Sequence, residues 1–401
     1  MASKISTIIC KPTRECNADC SYCSSPPVSG DANAHWSFEQ FKTAFDRLKP
    51  RLDAKPVWIW HGGEPMLLGP KFYEECWAYA RDSHPGIKFS IQTNILLYSN
   101  RWKPIFRDIM KGSLSTSYDP DNTYRTIKGN VDAYTIKFYE KLSRITSDGF
   151  RPMVVSTYDD DTIHIAEELY DKSLGMGDES FHIRFNYRYP MGRADNEGKG
   201  LLDPVTYGEM LIKLFNKWMD DVPNFSITPL DQMLDLVVGG QNERCPWTRG
   251  CNGRFVGIEP NGDLYNCADF ADFQDERYRF GNVFDGTVTT KVINLVKKVD
   301  TDYINAALRT PASMSHARRK FDLPRDCLSC DQYRECQGGC MRDSVLYNRG
   351  MGGKFFYCDS WKMVFKHIKE SVVSGKADDL LTLLGYDIDT AHRFVKDNNR
   401  V

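Results

Sequence analysis

The sequence predicts an α/β fold: a parallel sheet assembled by strand–helix alternation, followed by a small cysteine-rich α+β domain. Three observations carry this expectation. Residues 1 to about 220 alternate between short β-branched or aromatic runs and amphipathic helical stretches. After about residue 225 the alternation fades, and eight of the chain's 13 cysteines follow. At 401 residues the chain also exceeds the ~100–200 residues usual for one domain. We therefore expect two domains, at 1–225 and 226–370, and a helical surface tail at 371–401.

Ile5–Cys10 is the first strand, and a cysteine loop follows its carboxyl end. Ser37, with Gln40 three residues on, forms a capping box that starts a helix. Phe38, Phe41, Phe45 and Leu48 then recur at i, i+3, i+7 and i+10, one apolar helix face. Val57–Trp60 is the second strand and Lys71–Asp82 its helix. Lys88–Thr93 is the third strand, with a helix over Asn100–Met110. Leu114–Tyr118, Pro152–Thr157 and Phe181–Tyr189 complete the strands, and Tyr207–Met219 is helical. Crossover helices bury a parallel sheet on both faces and leave ligand sites at strand carboxyl ends.

Hydrophobic content of 41%, charged content of 26% and a net charge of -2 describe an ordinary globular chain without a basic field. Nucleic acid is not an expected partner. No apolar stretch approaches the ~20 residues that span a bilayer, so no membrane partner is expected either. The start of the chain lacks the apolar core of a signal peptide, which points to the cytoplasm. Thiols stay reduced there, and clustered cysteines then mean metal rather than disulfides.

Cys16, Cys20 and Cys23 form a C-x3-C-x2-C array directly after the first strand. Three thiolates in one loop can hold three irons of a four-iron cluster and leave the fourth open for chemistry. A three-cysteine zinc site completed by a distant residue fits the same triplet. The second strand runs into His61-Gly62-Gly63-Glu64-Pro65. Paired glycines let a backbone approach a ligand closely, and Glu64 offers an acceptor to a cationic group. A plain strand-to-helix turn is the alternative.

Farther on, Cys245, Cys251, Cys267, Cys327, Cys330, Cys336, Cys340 and Cys358 suffice for two closed four-cysteine sites. By cysteine count alone zinc is their more frequent occupant. Asn261-Gly262 marks a hairpin turn within Phe255–Cys267. Asp269, two residues after a cysteine, is a candidate acid–base group, with a turn-capping carboxylate as the alternative. Cys10 and Cys76 read as small buried hydrophobes. Arg318-Arg319-Lys320 reads as a solvated basic face.

The first array resembles the signature loop of the radical S-adenosylmethionine (SAM) enzymes. That resemblance implies an open iron that chelates the amine and carboxylate of SAM. It also implies that Gly62, Gly63, Glu64 and Pro65 hold the cofactor's amino group. Gln92-Thr93-Asn94 resembles the family's Gln-Thr-Asn-Gly segment, with Ile95 in place of the glycine. Ser115, Ser117 and Asp119 resemble its ribose-facing positions, and Arg125 and the Met191-Gly192-Arg193-Ala194 turn are further similar features. The implied architecture is a partial (β/α)6 TIM-type barrel.

The later cysteines resemble the SPASM extension of that family, which implies two auxiliary [4Fe-4S] clusters, or three clusters with the first. By that pattern Cys245, Cys251, Cys267 and Cys340 ligate the first auxiliary cluster. Cys327, Cys330, Cys336 and Cys358 ligate the second. The sulfatase-maturating branch keeps its general base directly after the third of these cysteines; here Ala268 stands before Asp269.

The function implied is reductive cleavage of SAM, with an electron from a flavodoxin or ferredoxin, to a 5′-deoxyadenosyl radical. The radical then abstracts hydrogen from a side chain of a peptide or protein substrate. A cross-link in a ribosomal precursor peptide is the leading expected product. Oxidation of a cysteine or serine to formylglycine in a sulfatase is the alternative, and a zinc-binding adaptor is the alternative from another class. Many peptide maturases open with a leader-binding domain, whereas the cysteine loop here begins at residue 16. Leader recognition is therefore expected from a separate protein, or the substrate is held without it.

Overall fold

A computed structural model of the chain describes residues 4–27, 35–120, 124–177, 181–197, 201–241, 243–248, 250–290, 295–299, 301–347 and 349–398. Six parallel strands lie side by side in chain order: β1 (Ile5–Cys10), β2 (Leu52–Trp60), β3 (Lys88–Gln92), β4 (Leu114–Ser117), β5 (Met153–Tyr158) and β6 (Ile183–Tyr187). This is the parallel core expected of a partial (β/α) barrel. The sheet also runs past residue 225. β7 (Ile227–Thr228) pairs parallel with β6, and β8 (Phe255–Ile258) pairs parallel with β1 on the other side. β9 (Asp263–Tyr265), β10 (Gly281–Asn282), β11 (Thr287–Thr289) and β12 (Val296–Lys298) continue antiparallel from β8. Strands this short carry no periodicity, so the alternation fades where the sheet does not.

The helix Phe38–Leu48 starts as the sequence predicts. Ser37 Oγ accepts from Gln40 N at 3.3 Å, and Gln40 Oε1 accepts from Ser37 N at 2.8 Å. Its buried Phe41 meets Trp58 and Trp60 of β2, with ring centroids 5.1 and 5.6 Å apart. Such edge-on and tilted aromatic contacts add to simple area burial. The expected helix over 100–110 is instead a 3-10 turn at Asn100–Trp102 and a π-helical turn at Ile105–Ile109. Pro104 stands between them and has no N–H to continue an α-helical ladder. The β8–β9 hairpin closes at Asn261-Gly262: Gly262 has φ +88°, and its N–H donates to Glu259 O at 2.9 Å. Pro260 and Gly262 occupy the positions that a type I turn followed by a left-handed residue favours.

A second core forms around Pro204–Asp221 and Cys358–Val373, where Leu211, Leu214, Trp218, Trp361 and Phe365 are buried. The chain end joins it. Helices Asp378–Leu383 and Ile388–Asn398 bury Leu380, Leu381, Ala391 and Val395 in that same core. The end is therefore packed rather than a surface tail. Leu380→Ala should destabilise the protein by about 2–5 kcal/mol in chemical denaturation. A loose tail would give a change within about 0.5 kcal/mol.

His316, on the helix Pro311–Arg318, is enclosed by Phe270, Tyr278 and Phe280, with the Phe270 centroid 4.3 Å away. Its Nδ1 lies 2.8 Å from Ala312 O, and its Nε2 is buried without a partner. Burial pushes its pKa down to about 4, with the Ala312 hydrogen bond opposing. The unfolded imidazole binds a proton below about pH 6.5, which the folded core refuses. Stability is thus full above that pH and falls as pH drops toward the folded value. From about pH 7 to about pH 5 the expected loss is roughly 2 kcal/mol. Urea unfolding across that window checks this, and His316→Phe should flatten the dependence.

Candidate metal centre

Cys16, Cys20 and Cys23 lie on the loop that leaves the carboxyl end of β1, each partly buried. Three neighbouring segments hold this loop, two by its backbone and one by its side chains. Gly63 N donates to Thr13 O at 3.0 Å, and Glu64 N donates to Glu15 O at 2.7 Å. A Cβ on Gly62 would fall 2.3 Å from Thr13 O, and one on Gly63 would fall 2.1 Å from Glu15 O. The paired glycines therefore serve close approach to the cysteine loop itself. On another side Arg193 N donates to Cys23 O at 3.0 Å, and Arg193 Nη1 donates to Cys20 O at 3.2 Å. From the β8 end, Glu259 and Asp272 bind Lys11 and Arg14 of the loop in a buried ion network.

Burial pushes the Cys16 thiol up to about 12, with Glu64, Cys20 and Cys23 adding to the shift. Ala18 N donates to Cys16 Sγ at 3.4 Å, and Asn94 Nδ2 lies 3.7 Å from it. N–H donors aimed at a ligand sulfur are a feature of iron–sulfur sites, where they tune the bound metal.

Glu64 is fully buried. Its carboxylate accepts from Met66 N, Thr93 Oγ1 and Asn94 N, each at 2.8 Å. Burial raises its pKa to about 7 against those donors. Glu64 thereby fastens the Gly-Gly turn to the Thr93-Asn94 corner after β3. Asn94 Nδ2 also donates to Asn17 Oδ1 at 2.7 Å, so this corner reaches the cysteine loop. The tight turn there survives without glycine: Ile95 has φ +58° and is fully buried. That conformation costs an L-residue about 1–2 kcal/mol, which burial of the isoleucine side chain, about 1.5–3 kcal/mol, offsets.

Gln92 Nε2 donates to Ser117 Oγ at 3.2 Å, and Ser115 Oγ bonds to Gln92 Oε1. Asp119 accepts from Tyr22 Oη at 2.8 Å, Arg125 Nε at 2.7 Å and Thr157 N at 3.2 Å. Ser117, Asp119 and Arg125 line a small pocket with Tyr134. The sequence reading missed Tyr22, which lies inside the cysteine array and is bound by two of its candidates.

The later cysteines sort into two groups. Cys327, Cys330, Cys336 and Cys358 line one pocket. Burial pushes Cys336 up to about 12, with Cys358, Cys327 and Cys330 adding. Cys340, only four residues on, belongs elsewhere: burial raises it, with Asp343, Cys245 and Asp269 adding. Cys251 accepts from Asn266 Nδ2 at 3.4 Å and packs with Cys267 on a small core that includes Met341. Among the described residues, no three such side chains converge on the position of a single metal ion. Four thiols lining one pocket are the donor set that a four-iron cluster requires.

Asp269 is 45% exposed beside Cys245, Cys267 and Cys340, with Arg342 Nη2 at 3.5 Å. Arg342 stacks on Tyr189 at 3.7 Å and pairs with Asp343 at 2.9 Å. Tyr187 donates to Asp343 in turn. These four residues were not singled out from the sequence, although charged residues so soon after Cys340 were a signal. The basic run needs a correction. Arg318 and Lys320 are exposed, but Arg319 is buried between the two cysteine groups.

Residues 10–169 match the Radical SAM superfamily. The chain carries a radical SAM domain. It is similar along most of its length to a cysteine-type anaerobic sulfatase-maturating enzyme of Clostridium perfringens (strain 13 / Type A). That enzyme is 23% identical over 376 residues, 90% of this chain and 95% of its own. A serine-type anaerobic sulfatase-maturating enzyme of Klebsiella aerogenes is 25% identical over 361 residues, 86% of this chain and 82% of its own. Among solved structures, anSMEcpe with bound AdoMet superposes with a TM-score of 0.74 at 20% identity, covering 93% of this chain and 99% of that one. SuiB of Streptococcus suis, bound to precursor peptide SuiA, gives 0.59 at 14% identity over 88% and 75%. These likenesses show that the chain shares the fold of those enzymes. No helix among its described residues is long and apolar enough to cross a membrane.

Gly63→Ala would drive a methyl group into the Glu15 carbonyl and push the Gly-Gly turn off the loop. SAM affinity should fall at least about tenfold, a loss of ~1.4 kcal/mol. Anaerobic equilibrium dialysis checks this, and parent-like affinity would refute the packing role.

Proposed function

We propose that this chain is a three-cluster radical SAM enzyme of the SPASM type that oxidises a side chain of a peptide or protein. The observation that supports it most is the sorting of eleven cysteines into one loop triplet and two groups of four. Cys16, Cys20 and Cys23 would hold the SAM-binding cluster, and the two later groups the auxiliary clusters. When bound, the first cluster and SAM supply a 5′-deoxyadenosyl radical that takes hydrogen from the substrate.

The chain's own residues do the positioning. Glu64, Thr93 and Asn94 keep the Gly62-Gly63 turn against the loop, where the cofactor's methionyl end would lie. Ser117, Asp119 and Arg125 would frame its ribose side, with Gln92 and Ser115 fixing Ser117. Asp269, half exposed and oriented by Arg342, would take a proton from the substrate radical, whose remaining electron would pass to an auxiliary cluster. A flavodoxin or ferredoxin would supply the electron, and a separate leader-binding protein could present a precursor peptide.

Formylglycine formation from cysteine or serine is favoured by the full-length likeness to both types of sulfatase-maturating enzyme. A side-chain cross-link is the second reading, favoured by Ala268 at the position where that branch keeps its base. A hydrazide probe separates them: it captures an aldehyde product and leaves a cross-link unlabelled.

Anaerobic reconstitution should yield about twelve irons per chain, four for each cluster. Zinc in their place would sink the proposal. Alanine at Cys16, Cys20 or Cys23 should abolish release of 5′-deoxyadenosine. Alanine at one of the eight later cysteines should leave cofactor cleavage without product. Full product formation by such a variant would remove the auxiliary clusters from the mechanism.

A further inference from the structure

Arg319 is the one member of its basic run that turns inward. It is 6% exposed, while Arg318 and Lys320 on either side lie at the surface. Its Nη2 donates to Gly338 O at 2.8 Å, and its Nη1 donates to Gly353 O at 2.7 Å and Met351 O at 3.0 Å. Its Nε is buried with no partner. Among the described residues no carboxylate comes within ion-pair distance of it. Carbonyls share its hydrogen bonds but leave its charge without a counter-ion. Burying a cation that way is costly unless an anion stands nearby.

The groups closest to it in charge are thiols. Burial lowers the Arg319 pKa, while Cys327, Cys340 and Cys336 raise it, ahead of Asp322. Cys327 and Cys336 line one pocket, and Cys340 belongs to the other group. The Gly338 carbonyl that Arg319 grips lies in the short link Cys336-Gln337-Gly338-Gly339-Cys340, which joins the two. One guanidinium thus faces both cysteine groups and clamps the peptide between them.

We propose that Arg319 is the shared counter-ion of the two auxiliary sites and sets their reduction potentials together. This rests on the three-cluster reading above. A four-iron cluster held by four thiolates carries net negative charge, which grows by one on reduction. A fixed cation in a low-dielectric interior favours the more negative state and so raises the potential. Because the guanidinium stays ionised at any working pH, its effect is a constant bias on both sites. Electrons would pass between two centres whose potentials share that bias.

The test is an anaerobic EPR-monitored redox titration of the parent protein, Arg319→Lys and Arg319→Gln, with iron counted in each. The signal of the cluster at Cys16, Cys20 and Cys23 is the internal reference. In the Gln variant both auxiliary midpoints should move to lower potential, and the Lys variant should fall between it and the parent. Loss of both auxiliary clusters from the Gln variant but not the Lys variant would equally support a charge role. Unmoved midpoints, a shift in one site alone, or equal iron loss in both variants would overturn it, the last by assigning Arg319 to the backbone clamp only. Failure of the three-cluster reading is distinguishable, because it would appear as low iron in the parent protein before any variant is made.

Discussion

Four nearly waterless side chains tie the first cysteine loop to the second half of the chain. Lys11 Nζ lies 3.1 Å from Glu259 and 2.5 Å from Asp272, while Arg14 lies 2.6 Å from Glu259 and 3.0 Å from Asp272. Two cations and two anions alternate, so each charge has two partners. A buried ion network of this kind is weak as a source of stability, but breaking one member strands the others. Its consequence is register. β1 and β8 pair with Cys10 opposite Ile258, and Lys11 N donates to Ile258 O at 2.9 Å. Any slip in that pairing would separate four buried charges. The loop of Cys16 and the segment of Cys267 are thereby held in one rigid frame, although some 250 residues separate them in the chain.

Other contacts continue from that frame. Trp36 Nε1 donates to Pro260 O at 2.9 Å, bringing the segment before the first helix onto the β8–β9 turn. The same turn leads through β9 to Cys267, and the helix Ala268–Asp272 that starts there returns Asp272 to the network. Asp269 and Asp272 lie on one short helix and face different tasks: one is half exposed beside Arg342, the other closes the ion network. The proposed proton acceptor is therefore built on an element that the first strand holds in place.

Much of this was legible in the sequence because it depends on local pattern. The capping box at Ser37, the six strands and the Asn261-Gly262 turn each carry their cause within a few residues. What escaped depends on partners far away in the chain. Two-residue β7 has no period to detect. Arg319 looks like its exposed neighbours until Gly338 and Gly353 are folded around it. Leu380 and Val395 sit among charged residues and look superficial until the core of Pro204–Asp221 is present. Glu64 was identified by its motif, but its partners at Thr93 and Asn94 become visible only when β2 and β3 are adjacent. Ile95 shows the limit of motif reasoning from the other side. The glycine that the turn would favour is absent, and burial of a large side chain compensates for the strained backbone.

The thiols themselves carry the last constraint. Burial raises Cys16 and Cys336 to about 12 and pushes Cys267 and Cys340 well above the ordinary value, in each case with neighbouring thiols adding. Without metal these groups would stay protonated in the folded chain, because crowded thiolates in a dry interior repel one another. A metal cluster needs the thiolate form, so loading must release protons and replace repulsion with ligation. Cations stand near the cysteines alongside the carboxylates Glu64, Asp269 and Asp343: Arg14 and Arg193 at the first loop, Arg319 at the two later groups. Arginines so placed would lower the cost of forming thiolates during cluster loading and would balance the negative charge of filled sites. Positive charge held in place by strand pairing and carbonyl hydrogen bonds would thus offset part of the cost of turning so many buried cysteines into ligands.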